Sequence, residues 1–407
     1  MILTLIFTCL VFLYVLFSRR FERTVFTAPI IFTLTGILVP ALFPYLIGQK
    51  ADLGTFLLLA EVGLVMILFT DAAQVSLKVL RSNSYLPVRL LGIGMLLTIL
   101  LGAVIALLIF GKISIWEAGI LAAILAPTDA GLGQVIVNSP RVPLRIRQSL
   151  NVEAGLNDGL SVPFLMFFIA LAARGTEGAG SILTKFVLEQ LGIGTLIGIG
   201  LGLVGGWLLA RAKQKQWVSP SLQQIGWVII PVLSILLSEL LGASMFIAAF
   251  VAGLAVQIGY RNAGKQSIEF IEGWGQIFNY LVFFLFGIII VRNWEYFTLP
   301  IVLYAILSLT LIRMLPVAIA LIGTRMSRAT MLFMGWFGPR GLASIVLGLV
   351  YLEKETNFPY ESTIALTIMM TVLISVLAHG FTALPGINLY RKRIEKLPAE
   401  SPEKVES

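Results

Sequence analysis

The chain has 407 residues, 58% of them hydrophobic and only 12% charged, with a mean hydropathy of +0.96. A soluble protein carries about 25% charged residues, so this composition excludes a water-soluble domain and points to a polytopic membrane protein. One cysteine, Cys9, excludes an intrachain disulfide, one histidine argues against a His-rich metal site, and the net charge of +8 has meaning only once it is located.

In chain order, apolar runs long enough to cross about 30 Å of hydrocarbon occur at 2–17, 25–47, 53–76, 84–110, 115–139, 144–173, 182–210, 222–241, 243–260, 267–291, 298–322, 329–351 and 362–386. They predict an all-α fold of thirteen transmembrane helices. Arg19 and Arg20 follow the first run and no small-residue cleavage site does, so it is read as a helix and not as a signal peptide. The connections are short. Residues 1–386 therefore read as one transmembrane unit and 387–407 as a short cytoplasmic tail, with no soluble catalytic or binding domain.

Lys and Arg gather in alternate connections, "SRRFER", "KVLRSNSYLPVR", "RVPLRIR", "RAKQK", "YRNAGK", "TRMSR" and the segment from "YRKRIEK" onward. The intervening loops hold only Lys50, Lys112, Arg174, Lys185, Arg292 and Lys354, while Arg313 and Arg340 fall inside spans. Cytoplasmic loops carry the basic excess, which places the N-terminus outside and the C-terminus in the cytoplasm; the expected host is a prokaryotic-type plasma (inner) membrane. The surplus charge is then a topology signal, and nucleic acid drops out as a partner.

Two spans are interrupted. The fifth reads "ILAAILAPTDAGLGQVIV", with Pro127, Thr128, Asp129 and Gly131 near its middle; the twelfth reads "MGWFGPRGLASIVLGL", with Gly338, Pro339, Arg340 and Gly341. Proline removes an amide donor and glycine loosens the backbone, and in lipid such breaks survive only inside protein or beside a watery cavity. Each break alone fits a kinked packing helix equally well. The two are seven spans apart and so run in opposite directions. If spans 1–6 and 8–13 are inverted repeats joined by the seventh, each break falls in the fifth helix of its repeat, a pointer to a transporter's central site. The seventh span, "GIGTLIGIGLGLVGG", reads as close helix packing.

The segment "NVEAGLNDGLSVP" brings Glu153, Asn157 and Asp158 into the sixth span. Glu153 and Asn157 are four apart and share a helix face, while Asp158 lies about 100° round with Ala154 and Ser161. Two carboxylates on one span thus point to different neighbourhoods. An ion in mid-bilayer is costly unless paired, and Arg340 is the obvious counter-ion. It is assigned to Glu153, which reserves Asp158 for other work, although spacing alone does not say which acid Arg340 takes.

"NVEAGLNDGLSVP", "LAPTDAG" and "GPRGLAS" together resemble the signature segments of monovalent cation/proton antiporters of the NhaP type, kin of the eukaryotic sodium/proton exchangers. The resemblance covers the whole chain. It implies the sodium/proton antiporter fold with crossing interrupted helices 5 and 12, and a homodimer in the membrane lipid. It further implies a moving core from spans 84–173 and 298–386 on a dimerisation scaffold from spans 2–76 and 182–291. By the same resemblance Asp158 binds cation or proton, Thr128 is a ligand, and Glu153 pairs with Arg340. Asn157, standing where electrogenic relatives have a second aspartate, implies electroneutral exchange.

Many relatives place a serine four residues before the key aspartate; this chain has Ala154, so Ser161 or water would substitute. Asp71 is the better match for an additional acid on the third span, with Glu61 nearer the outer face; a solvated funnel residue is the equal alternative for both. Asp129 is expected to neutralise a helix end at its break. His379 reads as a buried packing residue and not a pH sensor.

The expected activity is exchange of a monovalent cation, sodium or lithium first and potassium as the alternative, for protons. Burial penalises a bare carboxylate, so proton and cation compete for Asp158, with oxygen ligands from Thr128, Ser161 and unwound backbone. No cofactor is called for. A cation channel is the rival from another class; an intramembrane hydrolase using Asp129 and Asp158 lacks the accompanying motifs.

Overall fold

In lipid every backbone amide must find a partner within its own segment, so these apolar runs resolve into helices. The structure, a computed structural model, describes residues 2–21, 24–43, 53–74, 85–174, 187–260, 265–354, 358–398 and 400–404. The elements in order are α1 (Ile2–Phe21), α2 (Ala28–Leu42), α3 (Leu53–Gln74), α4 (Tyr85–Phe110), α5 (Ile115–Ile124), α6 (Ala130–Val137), α7 (Leu144–Arg174) and α8 (Gln190–Gln214). They continue with α9 (Pro220–Leu241), α10 (Met245–Gly259), α11 (Lys265–Arg292), α12 (Leu299–Leu309), α13 (Leu311–Ala320), α14 (Arg328–Trp336), α15 (Leu342–Glu353) and α16 (Glu361–Glu395). No strand occurs among the described residues. The fold is all-α, as expected.

Among the described residues, nine helical stretches are long and apolar enough to cross a membrane. At the second, fifth, ninth and twelfth expected spans the helices are shorter: α2, the pair α5 and α6, α10, and the pair α14 and α15. The basic residues Arg23, Lys50, Lys78, Arg81, Lys185 and Arg261, on which the orientation partly rests, lie outside the described residues.

The chain forms two compact units. The first comprises Met1–Phe56, Asn83–Asn157 and Tyr280–Ser407; the second comprises Leu57–Ser82 and Asp158–Asn279. In the first unit a buried apolar cluster joins Leu86 and Leu90 of α4, Ile136 of α6, Ile146 of α7, Val317 of α13, Phe333 and Met334 of α14, and Ile387 of α16. It thus fixes one half of each broken span. Gly36 of α2 and Gly287 of α11 let those helices touch backbone to backbone, since a Cβ on Gly36 would stand 2.1 Å from the Phe284 carbonyl oxygen.

In the second unit α8 carries Gly194, Gly198, Gly202 and Gly206, four residues apart and so on one face. A Cβ on Gly198 would lie 2.5 Å from the Ala248 carbonyl oxygen, and one on Gly202 2.5 Å from that of Ala252, both on α10. This is the close helix packing that small residues permit in membranes.

Beyond α16 the chain folds back. Ser327 caps α14, and the buried Glu403 carboxylate accepts from the Ser327 amide at 2.6 Å and the Thr330 hydroxyl at 2.8 Å. Burial alone would push this carboxyl up, but the Ser327 amide and the Ser327 and Thr330 hydroxyls hold it below its ordinary value. A carboxylate held low by the fold adds stability above its unfolded value, and that stability is lost as pH falls through the folded value. The tail should therefore stay docked at neutral pH and release only as pH falls below the ordinary glutamate range. Hydrogen exchange at the Ser327 amide, corrected for intrinsic rate, should show this loss, and Glu403→Gln should reproduce it at neutral pH. Unchanged protection in that variant would count against the contact.

Candidate functional site

The two interruptions are where the sequence places them. α5 ends at Ile124 and α6 begins at Ala130; α14 ends at Trp336 and α15 begins at Leu342. Pro127 and Pro339 lack the amide a continuous helix would use. Both unwound stretches belong to the first unit and are bonded to each other. The Asp129 amide donates to the Pro339 carbonyl at 2.8 Å, and the Ser344 hydroxyl donates to that of Ile124 at 3.0 Å.

Fixed charges meet the exposed helix ends, as the helix dipole favours. The Asp129 carboxylate accepts from the Leu132 amide at 2.9 Å with Oδ1 and from the Leu342 amide at 2.5 Å with Oδ2. One aspartate therefore caps the first turns of both α6 and α15. Arg340 does the reverse: its Nη1 donates to the carbonyls of Ala126 and of Pro127, the latter at 2.7 Å, just beyond the C-terminal end of α5. Gly341 stands so close that a Cβ there would lie 2.1 Å from Asp129 Oδ2. Gly131 sits half-buried in the first turn of α6.

The expected pairing of Glu153 with Arg340 is corrected. Glu153 on α7 is held by Arg313 on α13, with Nη1 2.6 Å from Oε1 and Nη2 3.0 Å from Oε2, both side chains 3% exposed. The reason lies in the second break. Arg340 follows Pro339 in the unwound segment and reaches the carbonyls opposite it, whereas Arg313 projects from a regular turn and presents its planar fork to a carboxylate. Gly338 leaves room for that fork, since a Cβ on it would stand 2.3 Å from Arg313 Nε. Sequence reasoning noted Arg313 inside a span but gave it no role. Its signal was that Arg313 and Arg340 are the two basic residues left inside spans, with two sixth-span acids to serve.

The α7 face that carries Glu153 also carries Asn157. Its Nδ2 donates to the Thr128 hydroxyl of the first break at 2.8 Å, both residues buried. Asn157 Oδ1 is buried with no hydrogen-bond partner among the described residues. A buried, unmatched oxygen is costly unless something binds it. Asp158 is the next residue on α7, 8% exposed. Ser161 turns its hydroxyl back onto the Asp158 backbone carbonyl at 2.9 Å, and Ala154 is buried. Asp71 and Glu61 both stand partly buried on α3.

Crossing half-helices with charged residues at their ends, within a bundle of membrane-length helices, define a secondary-transporter architecture. The chain belongs to the sodium/hydrogen exchanger family, whose transmembrane profile matches residues 5–386. That places it among transporters and not enzymes. Its fold matches the sodium proton antiporter MjNhaP1 of Methanocaldococcus jannaschii with a TM-score of 0.80 at 20% identity, over 98% of this chain and 99% of that one. A Na(+)/H(+) antiporter of Schizosaccharomyces pombe is 27% identical over 310 residues, 67% of this chain and 65% of the relative. The K(+)/H(+) antiporter NhaP2 of Shewanella oneidensis is 23% identical over 355 residues, 85% of this chain and 60% of the relative. The chain thus spans under two thirds of the length of these curated relatives.

Proposed function

We propose that this protein is a secondary active antiporter that exchanges a monovalent cation, sodium first, for protons, with the two competing for Asp158. The observation that supports this most is the polar crossing itself. Asn157 bonds Thr128 at the first break and keeps a buried oxygen without a hydrogen-bond partner among the described residues, one residue before Asp158 on α7. A hard alkali ion takes oxygen ligands, and the Asp158 carboxylate, Asn157 Oδ1, the Thr128 hydroxyl and unwound backbone carbonyls are such donors. Ser161 and Asp71 complete the candidate set.

Arg313 neutralises Glu153, and Asp129 and Arg340 act on the half-helix ends; in this reading these charges serve the framework and Asp158 serves the ion. Burial disfavours the bare carboxylate, so the loaded and the protonated forms cross readily while the empty charged form is held back. Countertransport follows from that asymmetry. With Asp158 as the acid that takes up the proton and Asn157 beside it, one proton moves per cation and no net charge is moved. We further propose that the protein works as a homodimer whose core moves on a scaffold, in a prokaryotic-type inner membrane with its C-terminus in the cytoplasm.

Potassium is the second reading, favoured by the potassium-exchanging name of the Shewanella relative. Proteoliposomes with a trapped pH dye, titrated with sodium, lithium and potassium over a pH series, test both readings. Sodium and lithium should collapse the proton gradient, the half-saturating concentration should fall as pH rises, and an imposed voltage should leave the rate unchanged. Downhill cation flux without any proton movement would support a channel instead and end the proposal.

A further inference from the structure

His379 and Ser375 lie four residues apart on one face of α16, facing the second break from the side. The Arg340 amide, on the α15 side of the break, donates to Ser375 Oγ at 2.6 Å. His379 Nδ1 lies 3.1 Å from that same oxygen and 2.9 Å from the Ser375 carbonyl. On the α14 side, His379 Nε2 lies 2.8 Å from the Trp336 carbonyl, the last of that helix. Ser375 is 0% exposed, His379 2% and Arg340 0%. The imidazole also packs against Trp336, with ring centroids 5.0 Å apart.

Donors and acceptors can be assigned from these partners. A carbonyl accepts only, so Nε2 carries hydrogen toward Trp336. Nδ1 faces the Ser375 hydroxyl and carbonyl on its own helix. A connected set of contacts results: the Arg340 amide donates to the Ser375 oxygen, that oxygen lies against His379 Nδ1, and His379 Nε2 meets the Trp336 carbonyl.

We propose that Ser375 and His379 are a clamp that grips both lips of the α14–α15 break and so fixes where Arg340 meets the carbonyls of Ala126 and Pro127. They are positioning residues and touch no transported ion. The inference rests on the antiport reading for its transport consequence, though not for its structural one.

The test uses the full chain as wild type, S375A, H379A, the double variant, H379Q and H379N, in hydrogen-exchange mass spectrometry and in the proteoliposome assay. Residues 337–341 should exchange faster in S375A and H379A. Their apparent KM for the cation should rise by roughly tenfold, as expected for a lost buried hydrogen bond. The double variant should be no worse than the worse single, since both belong to one chain. H379Q, which can still donate to Trp336, and H379N, which can still bond Ser375, should each recover part of the loss. Unchanged exchange at 337–341, or additive effects in the double variant, would overturn the clamp. A wild type that shows no cation-driven proton flux would sink the antiport reading instead, leaving the exchange measurement to decide the clamp.

Discussion

Replacing Asp158 with Asn should reduce cation-driven proton flux to the rate of protein-free vesicles while leaving a folded, monodisperse protein. The amide is nearly the same size as the carboxylate, so packing around this 8%-exposed side chain is kept. What changes is that it can neither release a proton nor present a full negative charge to a cation. Both halves of the exchange therefore fail together. Asp158→Glu keeps the chemistry but shifts the oxygens by a methylene, and is expected to retain weak exchange with altered ion preference. Sodium-dependent proton flux persisting in the Asn variant would remove Asp158 from the centre of the mechanism.

Loss of Arg313 should be the most damaging change to the fold. Its guanidinium meets Glu153 through two charge-assisted bonds, with both side chains buried. Removing one partner of a buried pair leaves the other charge uncompensated, at a cost of about 3–5 kcal/mol. Set against a marginal native stability of about 5–15 kcal/mol, Arg313→Met should markedly lower the recovery of folded protein. The double variant with Glu153→Met removes both charges and should restore much of the thermal stability, because an apolar pair of similar volume needs no compensation. Size-exclusion profiles and thermal unfolding in detergent would read this. A single Arg313→Met variant as stable as wild type would show that the pair is not a framework element.

Much of the framework was legible because membrane helices are written in runs of apolar residues, and because proline and glycine mark interruptions without any tertiary information. Pro127 and Pro339 announced both breaks, the α8 glycines announced close packing, and the face shared by Glu153 and Asn157 followed from helical spacing. Partner choice was less legible. Two buried arginines and two acids on α7 allow more than one pairing, and only the path of the unwound backbone after Pro339 sends Arg340 toward Ala126 and Pro127 and leaves Glu153 to Arg313. The Asn157 contact to Thr128 is of the same kind, since it depends on how far the first break brings its backbone toward α7. The sequence marks His379 as a buried packing residue, and it is buried. Its bonds to both sides of a break require distances across a turn that no periodicity encodes.

The stitching of the two breaks bears on how the protein can move. Asp129 holds the starts of α6 and α15 at once, and Arg340 ties the second break to the end of α5. The ends of α5, α6 and α15 thus share one knot, and none of the three can slide or rewind alone without breaking one of these bonds. On the proposed antiport mechanism, opening toward one side of the membrane and then the other would leave the knot intact and carry it whole.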